Sequence, residues 1–248
     1  MLKLLFPALV LAVSATPVLS IPQTVLPLGN KLPIPSGYKS YSFFLICNPE
    51  WLDPSKSADL TDLYNKFLAF GRSIGDDQAA VWFWKTQVPQ GWEKQKSPAD
   101  VIDVERSIKF CRAWNLAPSE GPYLVVTAAK PDESNLATAI PDGRAEFKLG
   151  GLKATEISKL LGRLTDALLL HKTELWVSPF AEMGKPTSAA ALAGDQRVTP
   201  AISVGATALW VRLLAVTQEI VGEFGCAVSF KLDAGPVSAD VKPCKNTP

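Results

Sequence analysis

Four cysteines, Cys47, Cys111, Cys226 and Cys244, are the residues of this 248-residue chain whose chemistry depends most on spacing. No two of them form Cys-x-x-Cys, so the chain lacks a vicinal redox pair, and no pair has metal-ligand spacing. His171 is the only histidine, so neither a bound metal nor a cofactor is expected. Cys226 and Cys244 bracket a short C-terminal segment with 17 residues between them. Closing such a loop stabilises a fold by roughly 3 kcal/mol in the chain-entropy model, and the spacing favours a Cys226–Cys244 disulfide. Cys47 and Cys111 then either pair with each other or stay as small buried residues.

Other chemical signals are weaker. Gly71-Arg72-Ser73-Ile74-Gly75 matches G-x-S-x-G, but a nucleophile elbow needs a strand before the serine and a helix after it. Here the pentapeptide ends a helical pattern and precedes a strand. His171 stands at a helix C-terminus, where positive charge is favourable for structural reasons. No phosphate-binding loop or dinucleotide fingerprint is present. Glu50, Asp53, Asp59 and Asp62 gather at a helix start, where the helix dipole favours acids. Trp82 and Trp84 flank Phe83 and share one strand face, which fits core packing or, with Trp92, an aromatic face for a ligand or peptide.

The compartment decides how the cysteines are read. Lys3, an apolar run from Leu4 to Val13 and small residues to Ser20 have the order of a secretory signal peptide cleaved after about Ser20. The apolar part is too short for a membrane span, and Arg212 interrupts the uncharged run Val198–Val211 well short of one. The mature chain is expected in the secreted or periplasmic space, where oxidation favours disulfides. A formal net charge of +1 with no basic block argues against nucleic acid as partner. Hydrophobic residues at 47% and charged residues at 20% are globular composition.

The elements that would position these residues follow from pattern. Pro22, Pro27, Pro33 and Pro35 make residues 21–40 an extended, proline-rich segment, a spacer or an arm over the domain. Tyr41 to Cys47 is a buried strand; Leu60, Leu63, Tyr64, Phe67 and Ile74 mark a helix with Ser57 or Asp59 available as N-cap. Ala79 to Trp84 is a second strand. Ser97, Pro98 and Asp100 open a helix reaching about Asn115, with Val101, Val104, Ile108 and Cys111 as its stripe. Pro122 opens the strand Tyr123–Thr127, which pairs antiparallel with Arg144–Leu149 across a loop. Paired glycines 150 and 151 precede a helix from about Ala154 to Leu170, with Lys153 where a capping Ser or Asp is expected. Beyond Thr173 come an Ala/Gly/Ser/Pro-rich stretch, an apolar helix from Ser203 to about Phe224 with Leu209, Leu213 and Leu214 expected to be buried, and two short strands.

The order βαβαββα from Tyr41 to Leu170, with Gly-Pro-Tyr-Leu-Val-Val-Thr at Gly121 and the closing amphipathic helix, resembles the thioredoxin-like superfamily. The resemblance covers about half the chain, and it implies an α/β fold with a mixed sheet and a cis peptide at Gly121–Pro122 facing the site. With the patterns before and after it, the chain is expected to divide into four regions: a signal peptide (1–20), the proline-rich segment (21–40), a thioredoxin-like domain (41–172) and a C-terminal helix and β-hairpin extension (173–248). The family's Cys-x-x-Cys is missing where the first strand meets the first helix. The expected function is therefore non-catalytic binding or assembly with a protein or peptide partner. The alternative is a thiol oxidoreductase using Cys47 as a lone thiol near Pro122.

Overall fold

Short apolar runs bounded by turns become strands when both faces of a sheet can be covered. The computed structural model of the chain describes residues 25–29, 32–88, 98–137, 143–169, 209–210, 212–213, 215–216, 230–234 and 237–241. The expected signal peptide, His171, Trp92, Leu214, Cys226 and Cys244 lie outside the described residues. The strands are β1 (Val25–Gly29), β2 (Ser40–Leu45), β3 (Gln78–Trp84), β4 (Tyr123–Thr127), β5 (Arg144–Lys148), β6 (Phe230–Ala234) and β7 (Val237–Val241). They form one seven-stranded mixed sheet in the order β1-β3-β2-β4-β5-β6-β7. Strands β1, β3 and β2 are mutually parallel, and every pairing from β2–β4 outward to β7 is antiparallel. The helices are α1 (Ser57–Ser73), α2 (Pro98–Val101), α3 (Val104–Ala113) and α4 (Ala154–Leu169). The expected α/β class with a mixed sheet and flanking helices is what the chain adopts.

Alternation along the central strands divides the core in two. On one face Phe44, Ile46, Trp82, Trp84, Leu124 and Phe147 pack beneath α1 and α4. Leu209, Trp210 and Leu213 join that cluster, so two of the leucines expected to be buried in the extension are buried. On the other face Tyr41, Phe43 and Phe83 pack against Phe110 and Cys111 of α3 and Trp114 at its end. Trp82 and Trp84 are each 1% exposed, so they are core residues and offer no aromatic surface to a ligand.

Several local expectations are corrected. Residues 21–40, expected to be an extended spacer or arm, contain β1, which lies as a strand beside β3. Pro27 is tolerated there because β1 is at the end of the sheet, where a missing N–H breaks no ladder on its outer side. The strand expected to reach Cys47 leaves the ladder at Leu45, although Ile46 and Cys47 remain buried. The single helix expected from Ser97 to Asn115 is broken after Val101, because Ile102 bridges to Trp84 and the Asp103 N–H donates to the Phe83 carbonyl at 2.9 Å. Asp103 then restarts it as α3, its carboxylate accepting from the Arg106 N–H at 2.9 Å. Neither Ser57 nor Asp59 caps α1, since a 3-10 turn, Pro54–Lys56, runs straight into it and Ser57 is already helical. Lys153 lacks a capping side chain, and Glu156 reaches back to accept its N–H at 2.6 Å, half of a capping box. The hairpin β6–β7 continues the sheet from β5.

Candidate functional site

The junction between β2 and α1 is where the family resemblance would place a reactive thiol. After Cys47 the chain makes two 3-10 turns, Pro49–Leu52 and Pro54–Lys56, each opened by an acidic or amide cap. Asn48 accepts the Glu50 N–H at 3.0 Å, and Asp53 accepts the Ser55 N–H at 2.9 Å. Those Ser55 hydrogen bonds, side chain first and backbone second, hold the Asp53 carboxyl below its ordinary range. The Lys56 ammonium lies 5.2 Å from the ring centroid of half-buried Trp51. Of the four acids gathered at this helix start, Glu50 and Asp53 thus serve the turns, Asp59 stands in the first turn of α1, and Asp62 pairs with Lys66 one turn on.

Cys47 is bonded to Cys111 of α3, with the Cα atoms 5.7 Å apart. This settles the two alternatives that spacing left open for these residues: they pair. Cys47 is 2% and Cys111 1% exposed. Gly121–Pro122 is cis, as the resemblance implied, and both residues are buried. A Cβ on Gly121 would stand 3.2 Å from the Cys47 Cβ and 3.0 Å from the Tyr123 ring, so the proline loop packs closely on the disulfide and any side chain there would force its neighbours to shift. The Pro122 carbonyl accepts the Leu149 N–H at 2.8 Å, extending the β4–β5 ladder to this end.

Cys47, Cys111 and Pro122 are therefore brought together, but their chemistry differs from the lone-thiol reading. A nucleophile must be a thiolate, and the Cys47 sulfur is in a buried bond. Thiol chemistry at this point would require the bond to be reduced first. The N-terminus of α1, which would lower a thiol pKa, carries no cysteine. The expected Cys226–Cys244 disulfide lies outside the described residues, and the pairing of Cys47 with Cys111 leaves those two with only each other as intrachain partners.

Elsewhere the candidate residues do not converge. Ser73 of the G-x-S-x-G match ends α1, and its hydroxyl donates to the Ala69 carbonyl at 2.9 Å. It borders an open depression of about 480 Å³ shared with Lys159, Gly162, Arg163, Thr165 and Asp166, remote in sequence and in the fold from Cys47. Among the described residues no group of acids, cysteines and histidines could hold a metal ion, and no helix is long and apolar enough to cross a membrane.

One polar cluster escaped the sequence reading. Arg106 of α3 donates twice to Glu133, at 3.1 and 2.6 Å, and once to the Leu32 carbonyl at 2.8 Å, while its guanidinium lies 4.3 Å from the Phe83 ring centroid. Glu133 also accepts the Ile34 N–H at 3.0 Å. These hydrogen bonds join partners 27 to 99 residues apart, a separation at which sequence spacing carries no signal. They clamp the β1–β2 connection and the β4–β5 loop onto α3, and α3 is the helix that holds Cys111. No protein-family model, curated protein or solved structure matches the chain.

Proposed function

We propose that the chain is an exported, non-catalytic thioredoxin-like protein that acts as a binding or assembly module for a protein or peptide partner. The observation that carries this reading is the Cys47–Cys111 bond: the sulfur at the β2–α1 junction ties that junction to α3 and is withdrawn from solvent. The strand order β1-β3-β2-β4-β5, α1 and α4 on one face with α3 on the other, and the cis peptide before β4 support the thioredoxin-like assignment. A disulfide joining two elements of the core fits an oxidising compartment and supports export. The added hairpin β6–β7, which lengthens the sheet beyond β5, supports an interaction role over a catalytic one.

The test is an insulin-reduction and disulfide-isomerisation assay on the purified, oxidised protein. No turnover above the uncatalysed rate is the expected result. Rapid insulin reduction, or reshuffling of a scrambled substrate, overturns the reading.

A further inference from the structure

We infer that β7 is a self-pairing edge, through which two copies of the chain join antiparallel into one continuous sheet. Among the described residues nothing pairs with the outer side of β7 or of β1, the two ends of the sheet. The two ends differ in what they permit. Proline is a common guard of an exposed edge, and β1 carries Pro27 at its centre. β7 has no proline, and its five residues pair with β6 without a bulge.

The sequence of β7, Val-Ser-Ala-Asp-Val, complements itself about Ala239. A two-fold axis there sets Val237 opposite the partner's Val241, Ser238 opposite the partner's Asp240, and Ala239 opposite the partner's Ala239. Moving the axis to Asp240 would oppose two acids, which is unfavourable, and a one-residue slip would exchange the two faces of the strand. The favoured register has a further consequence for the apolar row. Val241 and Ala239 are in register with Phe230 and Leu232 of β6, and these with Phe147 and Ala145 of β5, both fully buried. Pairing about Ala239 carries that row into the second copy. An isologous contact of this kind closes on itself, and Pro27 at the far edge disfavours further growth, so the product is a dimer and not a fibre.

Sedimentation velocity of the oxidised protein over a wide concentration range tests this. A reversible monomer–dimer equilibrium is expected. Ser238→Lys places a lysine opposite the partner's Asp240 twice per dimer and opposite Asp233 within its own hairpin, so it should tighten the dimer by roughly tenfold without harming the hairpin. Ser238→Asp should loosen it. A monomer at every concentration overturns the inference, whether another segment of the chain or solvent occupies the edge. So does a dimer whose strength the two substitutions leave unchanged or move in the same direction.

Discussion

The two faces of the sheet are covered in different ways. One carries α1 and α4, of 17 and 16 residues, with Leu209, Trp210 and Leu213 in the same cluster, and its core is largely leucine, tryptophan and phenylalanine, the Tyr64 and Trp82 rings lying 4.3 Å apart by centroids. The other carries α3, of 10 residues, and the β1–β2 connection. There Phe43 sits 5.7 Å from Phe110 and 5.6 Å from Trp114 by ring centroids, Arg106 and Glu133 clamp the edges, and Cys47–Cys111 joins strand end to helix. A ten-residue helix buries little surface by itself, and the thinner cover coincides with the covalent tie. The disulfide at this junction therefore has a structural use: it fastens the lighter of two layers.

Phe43→Ala removes a fully buried ring from the stapled face and is expected to cost about 3–5 kcal/mol, read from urea unfolding. Replacing both Cys47 and Cys111 by alanine removes a cross-link across 64 residues and should cost about 4 kcal/mol in the chain-entropy model. The sharper measurement combines them. Phe43→Ala made in the cysteine-free background should depart from additivity, because both changes loosen α3, while Leu164→Ala on the opposite face should simply add. Equal additivity on both faces would remove the distinction between them.

Smaller effects sharpen the account of each layer. Gly71→Ala puts a Cβ 2.6 Å from that of Ala80 and 2.8 Å from Val25 Cγ2, so α1 must lift from β1 and β3 at about 1–3 kcal/mol, visible as a lowered melting temperature. Asp103→Ala deletes the α3 cap and should cost about 1 kcal/mol in the same measurement. The smallest effect is on pH. Burial pushes the Asp77 carboxyl up, but the Lys39 hydrogen bond and charge, helped by Gln78, outweigh it and leave its pKa below the ordinary value. A depressed folded-state pKa contributes stability above the unfolded pKa, and that contribution is lost as the pH falls through the folded one. A slight acid-side loss that Asp77→Asn abolishes is the expected result, small because the pair is largely exposed.

Much of this architecture was legible in the sequence because binary pattern and period carried it. The run Ala79–Trp84, apolar on both faces, reads as a strand covered on both sides, and α4 was placed to within a residue by its 3.6-residue period. The signals failed where a long-range contact overrode a local one. Pro27 reads as a strand breaker unless the strand is known to be an edge, and the break at Ile102 depends on a bridge to Trp84 that no local propensity encodes. Trp210 is fully buried, and the leucine spacing that marks Leu209 and Leu213 carries no signal for it. For the site, loop closure ranks cysteine pairs by the length of loop they close, not by which residues meet in space. The partner of Cys47 needed the placement of α3 across β2.

The central claim is that the Cys47 sulfur is structural. It is tested most directly by alkylating the native, unreduced protein, digesting it and mapping cysteine states by mass spectrometry. The account expects a linked peptide containing Cys47 and Cys111 and no alkylation at either residue until the protein is both unfolded and reduced. Alkylation of Cys47 in the native protein, or its recovery in a linkage to any residue other than Cys111, would contradict it.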